Sequence, residues 1–244
     1  MAIMNDQTSD GPGRRLENLR DLGGLPLLGG GTTRHGILYR SDASYPGDLP
    51  PLHVDIWPPS TVVDLRSARE RDRVIHKWEA SVRLLHLPLH SWAAPDAVGR
   101  PTLESIYEGI LAERSELLVE ILTGIFGSQA PILVHCAAGK DRTGIVVAAL
   151  LLAAGVHPEA IVRDYLQTAE VMGAVVRRWS RNGDSTQTSE EYLRVTEVGI
   201  RRVIERLNGE LAGGFSDWFT SHGGLKGAIA QWRGRLNQEA NSDD

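Results

Sequence analysis

Several scarcities narrow the chemistry of this chain. Only one of its 244 residues is a cysteine, Cys136. An internal disulfide is therefore excluded, and the eight histidines show no metal-ligand spacing, so neither a metal nor any other cofactor is expected. Lysine occurs only at Lys77, Lys140 and Lys226, although Lys and Arg together number 26. Positive charge is in deficit, 26 basic against 31 acidic residues, for a formal net charge of −5. That balance argues against nucleic acid as a partner. No segment reaches the ~20 apolar residues of a membrane span. The longest apolar run, Ile145 to Val156, is interrupted by Gly155 and reads as a buried helix. Residues 1–13 are polar and lack the charged-then-apolar form of a signal peptide. They read as a disordered leader, and the expected compartment is the cytoplasm, with leaderless secretion as the alternative.

What is present centres on the lone thiol. Cys136 lies in the run His135-Cys136-Ala137-Ala138-Gly139-Lys140-Asp141-Arg142-Thr143-Gly144, between a short strand pattern (Pro131 to Val134) and the apolar segment Ile145 to Leu152. Five residues separate Cys136 from Arg142, which lets both face the centre of one tight turn. Gly139 permits backbone conformations closed to residues with a Cβ. Successive N–H groups can then form an anion nest, backed by the positive end of the following helix, and such a field favours a thiolate. Arg142 offers a fork for two phosphate oxygens, and Thr143 is spaced to donate its hydroxyl to the sulfur. The alternative, a cysteine buried as a small hydrophobe, requires all these neighbours to coincide by chance.

The run matches the Cys-x5-Arg loop of the protein tyrosine phosphatase superfamily. More narrowly, it resembles the bacterial tyrosine phosphatases that act on phosphoproteins and phosphoinositides, whose loop reads His-Cys-x-x-Gly-Lys-x-Arg-Thr. Asn18 to Gly24, Leu38 to Ser41 and Val63 to Ser67 resemble the N-terminal markers of that group, in order, so the likeness spans roughly residues 15–170. It implies a phosphomonoester hydrolase, foremost a protein-tyrosine phosphatase, with a phosphorylated protein or a phosphoinositide as substrate. A phosphoinositide or dual-specificity phosphatase is the alternative, ahead of a non-catalytic phosphate-binding module. A redox or arsenate-reducing enzyme would need a resolving cysteine, which the chain lacks.

In that reading Cys136 attacks phosphorus while Arg142 and the amides of Ala137, Ala138, Gly139, Lys140, Asp141 and Arg142 hold the oxygens. A carboxyl group protonates the leaving oxygen and later activates water. The resemblance favours Asp141 and extends the role to Asp64. Each has a plainer alternative: Asp141 as a loop tether, Asp64 as the partner of Arg66 or Arg142. Asp96 is an outside candidate on a mobile loop. Lys140 reads as a second charge on the rim of the site, either for a second phosphate or merely solvated. His135 and Thr143 are supporting residues. Asn18, Arg20 and Asp21 pin the chain near the site, Arg40 and Arg66 are candidate buried ion-pair partners, and Trp57 and Trp218 are packing anchors.

The expected fold is α/β, a central, mainly parallel sheet flanked by helices, with additional C-terminal helices. Strands are expected over 36–40, 61–65, 82–89 and 131–134. Helices are expected over 67–77, over 102–126 with a break near Ser115, behind the loop, and from Pro158. Another runs from a capping box at 188–191 to Asn208-Gly209, and a last apolar stripe joins Leu225, Ile229, Trp232 and Leu236. Residues 14–236 form one phosphatase domain, a core to about 170 and a helical lid or extension from about 171. Arg177 to Thr188 reads as a polar connection, and 237–244 as a frayed tail.

Overall fold

The computed structural model describes residues 14–89, 103–183, 193–209 and 213–238. The expected leader, the loop 91–100 with Asp96, and the capping box at 188–191 lie outside the described residues.

Three short segments form the centre of a five-stranded sheet: β3 (Leu38–Ser41), β4 (Thr61–Asp64) and β6 (Ile132–His135). Every residue in them is buried, as in a parallel sheet covered on both faces. The order is β1-β3-β6-β4-β5, with β1 (Arg20–Asp21) antiparallel to β3 and β5 (Arg83–His86) parallel to β4. β5 is an outer strand and leaves Arg83 and Leu84 exposed. Ser41 and Asp64 both pair with His135, so the three strands end level and the loop starts one residue beyond that row. β2 (Thr32–Thr33) lies outside this sheet and pairs with β7 (Asn237–Gln238).

Helix α4 (Asp141–Ala154) is buried along all fourteen residues, and after the polar first turn its sequence is apolar all round rather than striped. Gly155 ends it at φ +84, a left-handed C-terminal cap. Around it pack α2 (Leu103–Glu113), α3 (Ser115–Phe126) and α5 (Pro158–Arg181), with α6 (Glu197–Asn208), α7 (Phe215–Ser221) and α8 (Lys226–Leu236). The predicted break in 102–126 falls at Arg114. Helix α1 (Ala68–Arg73) is shorter than the expected 67–77, and Ser67 and Glu70 close a capping box at its start.

Three expectations need correction. Helix α5 continues through Arg181 and buries Arg178 and Trp179, so the polar connection does not begin at Arg177. Arg178 is tolerated there because Asp42 and Asp48 both pair with it. Helix α6 begins at Glu197 behind Thr196, whose Oγ1 accepts from Gly199 N at 3.3 Å, and residues 194–196 are not helical. The tail is not frayed from its first residue, since Asn237–Gln238 forms β7 and Asn237 Nδ2 donates to Ala154 O at 2.9 Å.

Candidate active site

The loop leaves β6 at His135 and enters α4 at Asp141, so strand and helix fix both of its ends. Between them three carbonyls point outward into partners. Ala137 O accepts from Ala43 N at 3.1 Å, and Ala138 O from Asn18 Nδ2 at 2.9 Å. Gly139 O takes both Asn18 Nδ2 at 3.1 Å and Arg40 Nη2 at 2.8 Å. Within a planar trans peptide the N–H points opposite to the C=O. The amides of Ala138, Gly139 and Lys140 are thereby turned inward, the geometry of an anion nest at a helix N-terminus. Gly139 has φ +69, and a Cβ there would stand 2.3 Å from Ser41 O. Both the dihedral and the close approach require glycine. Cys136 is 2 % exposed at the start of this turn.

Arg142, one residue into α4, is held by a residue that the sequence pattern did not single out. Its Nη1 and Nη2 donate to Glu70 Oε2 and Oε1, both at 2.7 Å. Burial pushes the Glu70 carboxyl up, but Arg142 outweighs it and keeps the group below its ordinary range. Glu70 Oε2 also accepts from Ser67 N at 2.9 Å. The spacing Ser67-x-x-Glu70 was the available signal, since a capping box predicts an oriented glutamate.

A second buried cluster supports the loop from the other side. Asp164 Oδ2 accepts from Arg40 Nη1 at 2.6 Å and Oδ1 from Arg20 Nε at 2.7 Å. Arg20 Nη1 donates to Asn18 Oδ1 at 2.6 Å, orienting the amide that holds the loop carbonyls. Burial and the neighbouring Arg40 push Arg20 down to about 10, still charged at neutral pH. The expected supports Asn18, Arg20 and Arg40 meet at this cluster, and the missed member is Asp164 on α5. Asp21 stands outside it, accepting from Gly23 N and Gly36 N at 2.9 and 2.8 Å.

The two candidate acids occupy different surroundings. Asp64 lies in the fork of Arg66: Nε to Oδ1 at 3.0 Å, Nη2 to Oδ2 at 2.8 Å, and Arg66 N to Oδ1 at 3.0 Å. Burial opposes its ionisation, yet His135 and Arg66 together hold its carboxyl far below the usual range. His135 is pushed down by burial against the pull of Asp64, and a ring nitrogen lies 3.2 Å from Cys136 O. Asp141 is 2 % exposed, and its Oδ1 accepts from Tyr107 OH at 3.2 Å. Tyr107 OH is in turn 2.6 Å from Tyr165 OH. Oδ2 of Asp141 accepts no hydrogen bond among the described residues and faces Lys140 Nζ at 3.4 Å. The buried Thr143 hydroxyl likewise makes no hydrogen bond among the described residues, so the expected contact with the sulfur is not formed here.

Lys140 corrects another expectation. It is fully buried rather than on a rim, and its Nζ donates to Arg194 O at 3.2 Å. Apolar residues explain the burial: Tyr45, Met172, Val175 and Trp179 pack on Ala138, with Leu193 and Val195 against them. The C-terminal half of α5 and the 193–196 segment thus cover the loop. Beside it, a cleft of about 240 Å³ is lined by Asp64, Arg66, His76, Trp78 and His135. Among the described residues no group of three or more His, Cys, Asp or Glu could hold a metal ion. No helix there is long and apolar enough to cross a membrane.

A family model described as "Tyrosine phosphatase family" matches residues 12–238. The chain belongs to the tyrosine phosphatase family. This phosphatase is 29 % identical over 213 residues to a Cupriavidus necator protein provisionally named a tyrosine-protein phosphatase, covering 78 % of this chain and 69 % of the relative. Over 38 residues it is 58 % identical to the triple specificity protein phosphatase PtpB of Mycobacterium tuberculosis, covering 16 % of this chain and 14 % of that one. The phosphatase is therefore an enzyme acting on phosphorylated substrates, built on a mostly parallel α/β core.

Proposed function

We propose that the chain is a protein-tyrosine phosphatase working through a cysteinyl-phosphate intermediate, in a reducing compartment such as the cytoplasm. The carrying observation is the loop itself, with three inward amides at the N-terminus of α4 between Cys136 and an arginine oriented by Glu70. The Cys136 thiolate attacks phosphorus, forming S–P as the P–O bond to the tyrosyl oxygen breaks. The loop amides and Arg142 hold the phosphoryl oxygens as charge moves onto them. Asp141 gives its proton to the leaving oxygen, then takes one from the water that attacks phosphorus and releases the thiolate. The roles of the two aspartates differ. Asp64, held ionised in the fork of Arg66, orients that end of the sheet and is poorly suited to donate a proton near neutral pH.

A second reading is favoured by the loop sequence His-Cys-x-x-Gly-Lys-x-Arg-Thr and by the triple specificity named for the mycobacterial relative. In that reading the enzyme also hydrolyses phosphoinositides, with Lys140 on a second phosphate of the inositol ring. Lys140 is roofed by residue 194, so such contact requires the described cover, the C-terminal half of α5 and residues 193–196, to lift.

Phosphate release from para-nitrophenyl phosphate, a phosphotyrosine peptide, a phosphoserine peptide and monophosphorylated inositol lipids tests both readings. The expected result is turnover of the aryl phosphates that is lost in Cys136→Ser. Preferential loss on the lipids in Lys140→Ala supports the second reading. Unchanged relative rates remove it, and activity surviving Cys136→Ser overturns the first.

A further inference from the structure

The mechanism proposed above does not use the two buried phenols beside Asp141. Tyr107 comes from α2 and Tyr165 from α5, 58 residues apart, and their hydroxyls meet at 2.6 Å. Both rings occupy room left by glycines. A Cβ at Gly199 on α6 would stand 2.6 Å from Tyr107 Cε2, and one at Gly144 on α4 would stand 2.8 Å from Tyr165 Cε2. Phenylalanine would fill the same room, so packing alone does not call for the hydroxyls.

What the hydroxyls add is a hydrogen-bond chain onto one oxygen of Asp141. Tyr107 has a single O–H and gives it to Oδ1, so the proton between the two phenols comes from Tyr165. Burial pushes both phenols up, which keeps them protonated as donors. A hydroxyl, unlike lysine or arginine, also accepts. When Asp141 is protonated, its proton sits on Oδ2, and Oδ1 still accepts from Tyr107, which accepts in turn from Tyr165. An acid that becomes a base within one turnover needs a neighbour able to serve both states. Oδ2 is buried, accepts no hydrogen bond among the described residues and stands 3.4 Å from Lys140 Nζ, so it is the oxygen that the phenols do not hold.

We propose that Tyr107, backed by Tyr165, is the positioning residue of the general acid: it anchors Oδ1 of Asp141 and so presents Oδ2 to the leaving oxygen. The proposal rests on the reading of Asp141 as the acid. Neither phenol touches substrate; they act through Asp141. The proton given up in the first step leaves from Oδ2, and the proton taken from water in the second returns there. The phenols keep the same two hydrogen bonds in both states.

The test compares kcat/KM, which reports the step that breaks the P–O bond, across aryl phosphates from para-nitrophenyl (a good leaving group) to phenyl (a poor one). General acids contribute on the order of 10²–10⁴-fold, and the need grows as the leaving group worsens. Tyr107→Phe should lower kcat/KM on phenyl phosphate by about 10-fold while changing the para-nitrophenyl value by less than about 3-fold. It should have no further effect when added to Asp141→Asn. Tyr165→Phe, which removes only the outer hydroxyl, should act in the same direction but less, and serves if Tyr107→Phe folds poorly by thermal melting. Equal losses across all leaving groups would mean packing only and overturn the proposal. Selective loss in Asp141→Asn with wild-type behaviour in both tyrosine variants overturns the positioning role alone. No selective loss in Asp141→Asn overturns the acid assignment and the positioning role with it.

Discussion

Glu70 and Arg142, 72 residues apart, face each other through two parallel hydrogen bonds of 2.7 Å, and the glutamate also closes the capping box of α1. The arrangement couples a helix start to the phosphate loop: α1 sets the glutamate, and the glutamate sets the plane of the guanidinium. Two charge-assisted bonds in one plane leave Arg142 little rotational freedom.

Glu70→Gln should therefore injure catalysis more than folding. Loss of one charge-assisted bond costs about 1–3 kcal/mol, whereas a misaligned phosphate-binding group costs about 10²-fold in rate. Kinetics on para-nitrophenyl phosphate and a urea melt read the two effects separately. Wild-type kcat/KM in Glu70→Gln would show that Arg142 does not need this partner.

Gly139→Ala meets two obstacles at once, a left-handed φ and a contact of 2.3 Å with Ser41 O. The left-handed conformation alone costs roughly 1–2 kcal/mol for a residue with a Cβ. Asn18→Ala instead leaves Ala138 O without its side-chain donor and Gly139 O with Arg40 only, a loss of about 1–3 kcal/mol. Both variants should melt earlier, with activity falling further in Gly139→Ala because β3 itself must shift. A Gly139→Ala enzyme with normal melting temperature and turnover would contradict the loop geometry.

The Asp164 cluster gives a pH-dependent prediction. Burial pushes this carboxyl up, but Arg40 and Arg20 more than offset it, so its folded value lies below the ordinary one of about 3.9. A lowered acid contributes stability that is fully present above its unfolded value and lost as pH falls through its folded value. The melting-temperature gap between wild type and Asp164→Asn should be largest from about pH 5 to 7 and narrow as pH drops below about 4. Thermal melts at stepped pH measure it. A gap constant down to pH 3 would mean that the carboxylate is not what the two arginines stabilise.

Much of this was legible along the chain. The strand–loop–helix around Cys136 could be read because every part is local: an apolar run for β6, glycine at the turn, and a second apolar run for α4. Asn18, Arg20 and Arg40 could be singled out as supports. Their common partner Asp164 could not, because an aspartate on an amphipathic helix looks solvated, whereas this one lies on the buried face with Ile161, Tyr165 and Thr168. Lys140 illustrates the opposite error. A lysine beside an anion loop looks like a rim charge, yet Tyr45, Met172, Val175 and Trp179, spread over more than a hundred residues, cover the loop.

Hydrophobic period, glycine and capping residues act over a few neighbours, and they suffice for the reactive loop, the order of the central strands along the chain and the helical character of the second half. Which charges meet is set by the three-dimensional packing alone. Glu70 with Arg142, Asp64 with Arg66, Asp164 with two arginines, and Tyr107 with Asp141 are choices among many chemically equivalent carboxylates, phenols and guanidinium groups. Burial makes those choices binding, since a charge removed from water must find its partner across the fold.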